Sequence, residues 1–137
     1  MKSLLQNGVD RNTPRRELGL FVVPVKAGAI IRAGFMVCVD ATGYAIEATA
    51  NPDLIYLGRA EDGVEVASAS NGEFTIQVRT HNAFFYANSK TDPVTQASFC
   101  QPCYIEDGET VAATDGTGTL SKAGRVVGIE QDGVWVE

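Results

Sequence analysis

This sequence has no long hydrophobic run. Its best apolar stretch near the start, residues 18–25, is interrupted by Gly19 and closed by Pro24. That is far short of the roughly twenty residues that cross a bilayer. The opening residues Met1-Lys2-Ser3-Leu4-Leu5-Gln6-Asn7 lack the continuous apolar core of a secretory signal. The expectation is a chain made and folded in a cytoplasm, with no membrane partner. A sustained helical period is missing too, which excludes a helical bundle or coiled coil, and the crossover helices of a parallel α/β sheet are absent. Charge is scarce, at 20% of residues, and its basic part scarcer: 11 Lys and Arg against 17 Asp and Glu, a net of −6. An ordinary nucleic-acid-binding module needs the opposite balance, so no direct nucleic-acid contact is expected.

Motifs of catalysis are equally thin. His81 is the single histidine and the one conventional general base near neutral pH. It sits in Thr80-His81-Asn82, read as a strand-end turn, with no nucleophile placed beside it by the sequence. Ser68, Ser70, Ser89, Ser98 and Cys100 form no nucleophile elbow. Gly116-Thr117-Gly118 lacks the Gly-Lys-Ser/Thr element of a phosphate loop. The acids Glu61-Asp62, Glu106-Asp107 with Glu109, and Glu130 with Asp132 fall in turns and read as solvated. Cys100-Gln101-Pro102-Cys103 has redox spacing but precedes an apparent antiparallel hairpin, where no helix start would favour a thiolate. Unpaired thiols are the main reading. A disulfide, half a zinc site with Cys38 and His81, and a redox pair remain alternatives, and a cytoplasm disfavours a stable disulfide. Catalytic residues, cofactors and metals are expected to be absent.

What the chain does have is enough apolar material for a core. Its 137 residues are 45% hydrophobic, and a chain of this size can bury about two-thirds of its extended surface. Fourteen glycines and five prolines punctuate it into short runs. Glu17–Val25, Phe35–Val39, Tyr44–Ala48, Leu54–Ala60, Phe74–Arg79, Ala83–Ala87, Cys103–Ile105 and Ala123–Glu130 read as strands, with Val134–Val136 closing the chain. Gly43 and Asp132-Gly133 are read as hairpin turns. Phe74, Ile76 and Val78 share one face by alternation, and Ala83–Ala87 looks like the next strand across the His81-Asn82 turn. Asp92 is expected to cap a single helical turn starting at Pro93. Eight to ten short strands predict an all-β fold: a compact antiparallel sandwich, jelly roll or partly closed barrel with little helix.

Charge and aromatics nominate contact residues. Lys2, Arg11, Arg15 and Arg16 face only Asp10 in the first sixteen residues, a net of +3, whereas seven basic and sixteen acidic residues from Glu17 onward give −9. Residues 1–17 are therefore read as a basic arm and residues 18–137 as one β domain. The arm is either a frayed terminus or a segment that orders in an assembly. Phe84 and Tyr86 share one strand face and Phe85 takes the other, so the set serves core, interface or both. Trp135 has the same two readings. Arg11, Arg15, Arg16, Phe84, Phe85, Tyr86 and Trp135 are the candidate partner interface.

Several segments carry a family resemblance over Leu18 to Glu137. They are Val25-Lys26-Ala27-Gly28 with Ile30, Gly34-Phe35-Met36-Val37, Ala41-Thr42-Gly43-Tyr44-Ala45 and Leu57-Gly58-Arg59-Ala60-Glu61. Later come Cys103–Val111, Ala123–Ile129 and Gly133-Val134-Trp135-Val136. The chain resembles the capsid decoration, or cement, proteins of tailed bacteriophages. The resemblance implies a compact β domain on the outside of the virion head, made in a bacterial host. It would bridge major capsid protein subunits, self-associate as a dimer or trimer, and carry no catalysis or cofactor. The alternative from the residues is a carbohydrate-binding or adhesion β module using Tyr44, Tyr56, Tyr86 or Trp135.

Overall fold

The computed structural model describes residues 13–16, 18–67 and 70–137. Arg11 and Ser68 lie outside them, as does Glu17, the first residue of the earliest expected strand. Twelve strands form among the described residues: β1 (Leu20–Pro24), β2 (Ile30–Ile31), β3 (Met36–Val39), β4 (Ala45–Glu47), β5 (Ile55–Ala60), β6 (Val64–Glu65), β7 (Thr75–Arg79), β8 (Phe84–Asn88), β9 (Pro102–Ile105), β10 (Thr110–Ala112), β11 (Lys122–Glu130) and β12 (Gly133–Val136). The fold is all-β. The count exceeds ten because β2 and β6 are two-residue strands that pair only with each other.

Turn chemistry produces the hairpins. Gly43 has φ +83° and donates its N–H to the Asp40 carbonyl at 2.9 Å. The Asp40 carboxylate accepts the Thr42 N–H at 2.9 Å. This Asp-to-Gly turn joins β3 to β4 as the expected hairpin, with Cys38 opposite Ile46.

Ten strands build two curled layers. The first is a five-stranded sheet in the order β1-β7-β5-β3-β4. It curls until Val25, just past β1, forms a parallel bridge to Ala45 on β4. The second is a closed barrel in the order β10-β8-β12-β11-β9, antiparallel except for β10 against β8. Each layer encloses its own core. Val23, Val25, Val37, Ala60, Ile76 and Val78 fill the sheet's interior with Ile31 and Val66. Tyr86, Cys103, Ile105, Val111, Val126, Val134 and Val136 fill the barrel. Strand β3 belongs to both. Alternation sends Val37 to the sheet's core and Met36 and Cys38 to the barrel's, so β3 is the wall the two cores share.

Three expectations fail for identifiable reasons. β8 does not pair with β7. Both edges of β7 are occupied, by β1 and β5, so the chain turns at His81 (φ +60°) and enters the barrel. Phe74 does not join Ile76 and Val78 inside. It lies in the bend just before β7 and stays 44% exposed, although its carbonyl still accepts the Val25 N–H at 2.9 Å. Asp92 caps no helix. The single 3₁₀ turn among the described residues is Gln96–Ser98, preceded by Thr95. The Asp92 carboxylate instead accepts the Thr114 N–H at 3.0 Å and its hydroxyl at 2.6 Å, stapling this loop to the end of β10.

Candidate functional site

The structure joins two of the nominated contact residues. Phe85 on β8 and Trp135 on β12 are register partners, with ring centroids 5.0 Å apart at 53°. Both lie on the barrel's outer wall, 41% and 38% exposed. Glycines shape their seat. A Cβ at Gly133 would come within 2.7 Å of the Phe85 ring, and one at Gly128 within 3.0 Å of Trp135 Cδ1. The Trp135 indole N–H donates to the Glu130 carboxylate, which fixes the ring. Sequence reading marked Gly133 as a turn residue. Its φ is ordinary, and it is required because the Tyr86 carbonyl oxygen, 2.5 Å from where a Cβ would sit, and the Phe85 ring occupy the place of a side chain.

Tyr86 has a different role from the one nominated. It points into the barrel and is 4% exposed, and its hydroxyl lies 3.0 Å from the Tyr56 hydroxyl. Burial pushes its phenol up to about 12 and raises that of Tyr56 further still. It is a core residue and offers no contact surface. Phe84 is half-buried against the barrel core. Arg15 and Arg16 are exposed ahead of β1, with no ion pair to other described residues.

One apolar surface was missed by the sequence reading. Leu18, Leu20 and Val22 are 49%, 41% and 57% exposed along β1, while Val23 and Val25 are buried. The available signal was a strand apolar on both faces, a pattern that requires cover on both sides. Here only one side is covered.

A concavity of about 600 Å³ opens between the start of β5 and the start of β11. Tyr56, Tyr104, Asp115, Ser121 and Lys122 supply its polar lining, and Leu54, Ile55 and Leu120 are among its apolar residues. Ser121 is 4% exposed, and its hydroxyl has no hydrogen-bond partner among the described residues. Its backbone carbonyl accepts the Ile105 N–H at 2.9 Å, which holds the residue in place.

His81 is exposed in its turn, beside a smaller cleft of about 290 Å³. Among the described residues, no serine or cysteine lines that cleft. The Thr80 hydroxyl next to it is engaged, donating to the Leu18 carbonyl. Among the described residues, His, Cys, Asp and Glu form no group of three arranged to hold a metal ion.

The three cysteines are free. Cys38 and Cys103 are buried, and burial pushes their thiols up to about 12 and about 11. Cys100 is exposed. Because the thiolate is the reactive form, a disulfide-exchange reagent at neutral pH should titrate one thiol per native chain and three after denaturation. A count of two or more in the native protein would contradict this burial.

No family model, curated protein or solved structure matches this chain.

Proposed function

We propose that this protein is a structural decoration, or cement, protein that seats on the outside of an assembled phage head and reinforces contacts between major capsid protein subunits. The carrying observation is the placement of its exposed apolar side chains on rigid sheet elements. Leu18, Leu20 and Val22 line one layer, and Phe85 with Trp135 marks the other. A bridge needs two such strips on a block that does not deform, and backbone held in ladders supplies that. Weak contacts repeated over a fixed lattice add up. The first sixteen residues, net +3, and the remainder, net −9, suit a partner with acidic patches and give no affinity for DNA. Cosedimentation with expanded and unexpanded shells tests the reading. Saturable binding to the expanded shell is expected, and Trp135→Ala should weaken it about thirtyfold, the ~2 kcal/mol of a buried aromatic anchor. Equal, non-saturating binding to both shells would overturn it.

A second reading, a carbohydrate-binding or adhesion module, is favoured by the concavity alone. Its two tyrosines beside Asp115, Ser121 and Lys122 combine ring faces with hydrogen-bonding groups, as a pyranose requires. The orphan hydroxyl makes a prediction. Ser121→Ala should leave thermal stability unchanged or raise it by up to about 1 kcal/mol, because it removes a buried hydroxyl with no partner. If the concavity holds sugar, the same variant should lose the saturation-transfer NMR signal that the parent shows with a monosaccharide panel. No transfer to the parent would discard this reading.

A further inference from the structure

We propose that Trp135, Phe85 and Glu130 form a docking site for an arginine side chain of a protein partner. The chain holds a complete arrangement of that chemistry in its sheet layer. The Arg32 guanidinium carbon lies 4.1 Å from the centroid of the Phe35 ring. The same guanidinium donates to both oxygens of the Glu47 carboxylate, through Nε at 3.0 Å and Nη2 at 2.6 Å. A planar cation is thus held by a ring and a carboxylate at once. Its flat shape and fixed fork of donors suit a guanidinium better than an ammonium.

The barrel wall repeats the ring and the carboxylate. Trp135 and Phe85 are both partly exposed. The residue opposite Trp135 on β11 is Gly128, which has no side chain to lay across the indole. Glu130 accepts the indole N–H through Oε2, and its Oε1 accepts no hydrogen bond from a described residue. An indole is the strongest aromatic partner for a cation, and a carboxylate at its N–H adds to the negative potential that a cation meets.

Among the described residues, none supplies that cation. β8 and β12 carry no basic side chain. Of the two on β11, Arg125 is paired with Glu137 at 2.6 Å, and Lys122 stands at the opposite end of the strand from Glu130. No described Lys or Arg forms an ion pair with Glu130. The turn that follows adds Asp132 and no basic residue. The wall is therefore aromatic and acidic, and charge complementarity selects a basic occupant. This rests on the reading of Phe85 and Trp135 as a contact surface and narrows it to one group of the partner.

Trp135 is the single tryptophan, so its fluorescence reports on the site. The full chain is titrated, at matched ionic strength, with N-acetyl-arginine amide and with its lysine and citrulline analogues. Citrulline keeps the shape of arginine and loses the charge. Arginine should change the emission saturably, with a Kd of about 1–10 mM. Both analogues should bind more weakly, citrulline by about tenfold or more. Glu130→Gln still offers an oxygen to the indole N–H but removes the charge, and it should weaken arginine binding about tenfold. The assignment is wrong if arginine gives no saturable change, or if either analogue matches it. It is equally wrong if Glu130→Gln binds arginine as tightly as the parent. Saturable shell binding by a protein that fails these tests would keep the lattice reading and overturn this site alone.

Discussion

Gly58→Ala is expected to lower stability by about 3 kcal/mol, a fall in Tm of about 10 °C. Gly58 lies on β5 beside β7, and the space for its Cβ is already occupied by the Arg79 carbonyl group and by Thr80 Cγ2. Its φ is ordinary, so the penalty is steric and not conformational. Neither neighbour can yield cheaply. Arg79 belongs to β7, held between β1 and β5, and the Thr80 N–H and hydroxyl both bond the chain just before β1. The β3–β5 register also shifts next to Gly58, so a displaced β5 would disturb the wall shared by both cores. Gly19→Ala is the internal control. A Cβ there meets nothing within 4 Å, and reduced freedom of the unfolded chain should make that variant neutral or more stable by about 0.5 kcal/mol. Equal Tm values for the two variants would show that Gly58 is not sterically required.

Ile105→Ala should cost about 3–4 kcal/mol, the transfer term plus an uncollapsed cavity. Ile105 is fully buried on β9, inside a barrel whose ladders close on themselves. Such a wall cannot move inward to fill the space, so the cost belongs toward the upper part of the usual range. Ile76→Ala in the other core should cost about 3 kcal/mol. Its sheet curls but is closed by a single bridge, and it can relax further. Both variants should still unfold in one transition by calorimetry, because β3 contributes Met36 and Cys38 to one core and Val37 to the other. Two separated transitions in either variant would show that the shared strand does not couple the layers.

The strand-and-turn plan was legible because it rests on short-range physics. The Asp40–Gly43 turn, the antiparallel β11–β12 pair around Asp132 and the opposite facing of Phe85 to Phe84 and Tyr86 follow from alternation and from residues that accept tight turns. Pairing is a different question. Ala83–Ala87 read as a strand, but nothing local showed that both edges of β7 would be filled by β1 and β5. The candidate contact set divided for the same reason. Alternation separated Phe85 from Tyr86 but did not say which of the two faces would be enclosed, and only barrel closure put Tyr86 inside and Phe85 against Trp135. Ser121 carried no signal at all, because an orphan hydroxyl is defined by what fails to reach it.

From sequence alone, this protein is an all-β chain of short strands with a basic start and an acidic body. Periodicity, glycine and proline placement and charge counts are properties of neighbouring residues, and they survive without knowledge of the fold. The tertiary structure decided which strands meet, that one strand serves two cores, and that β1 ends with an exposed apolar face. Those outcomes depend on contacts between residues far apart in the chain. A period of two tells a side chain which face to take, but not which partner will cover it.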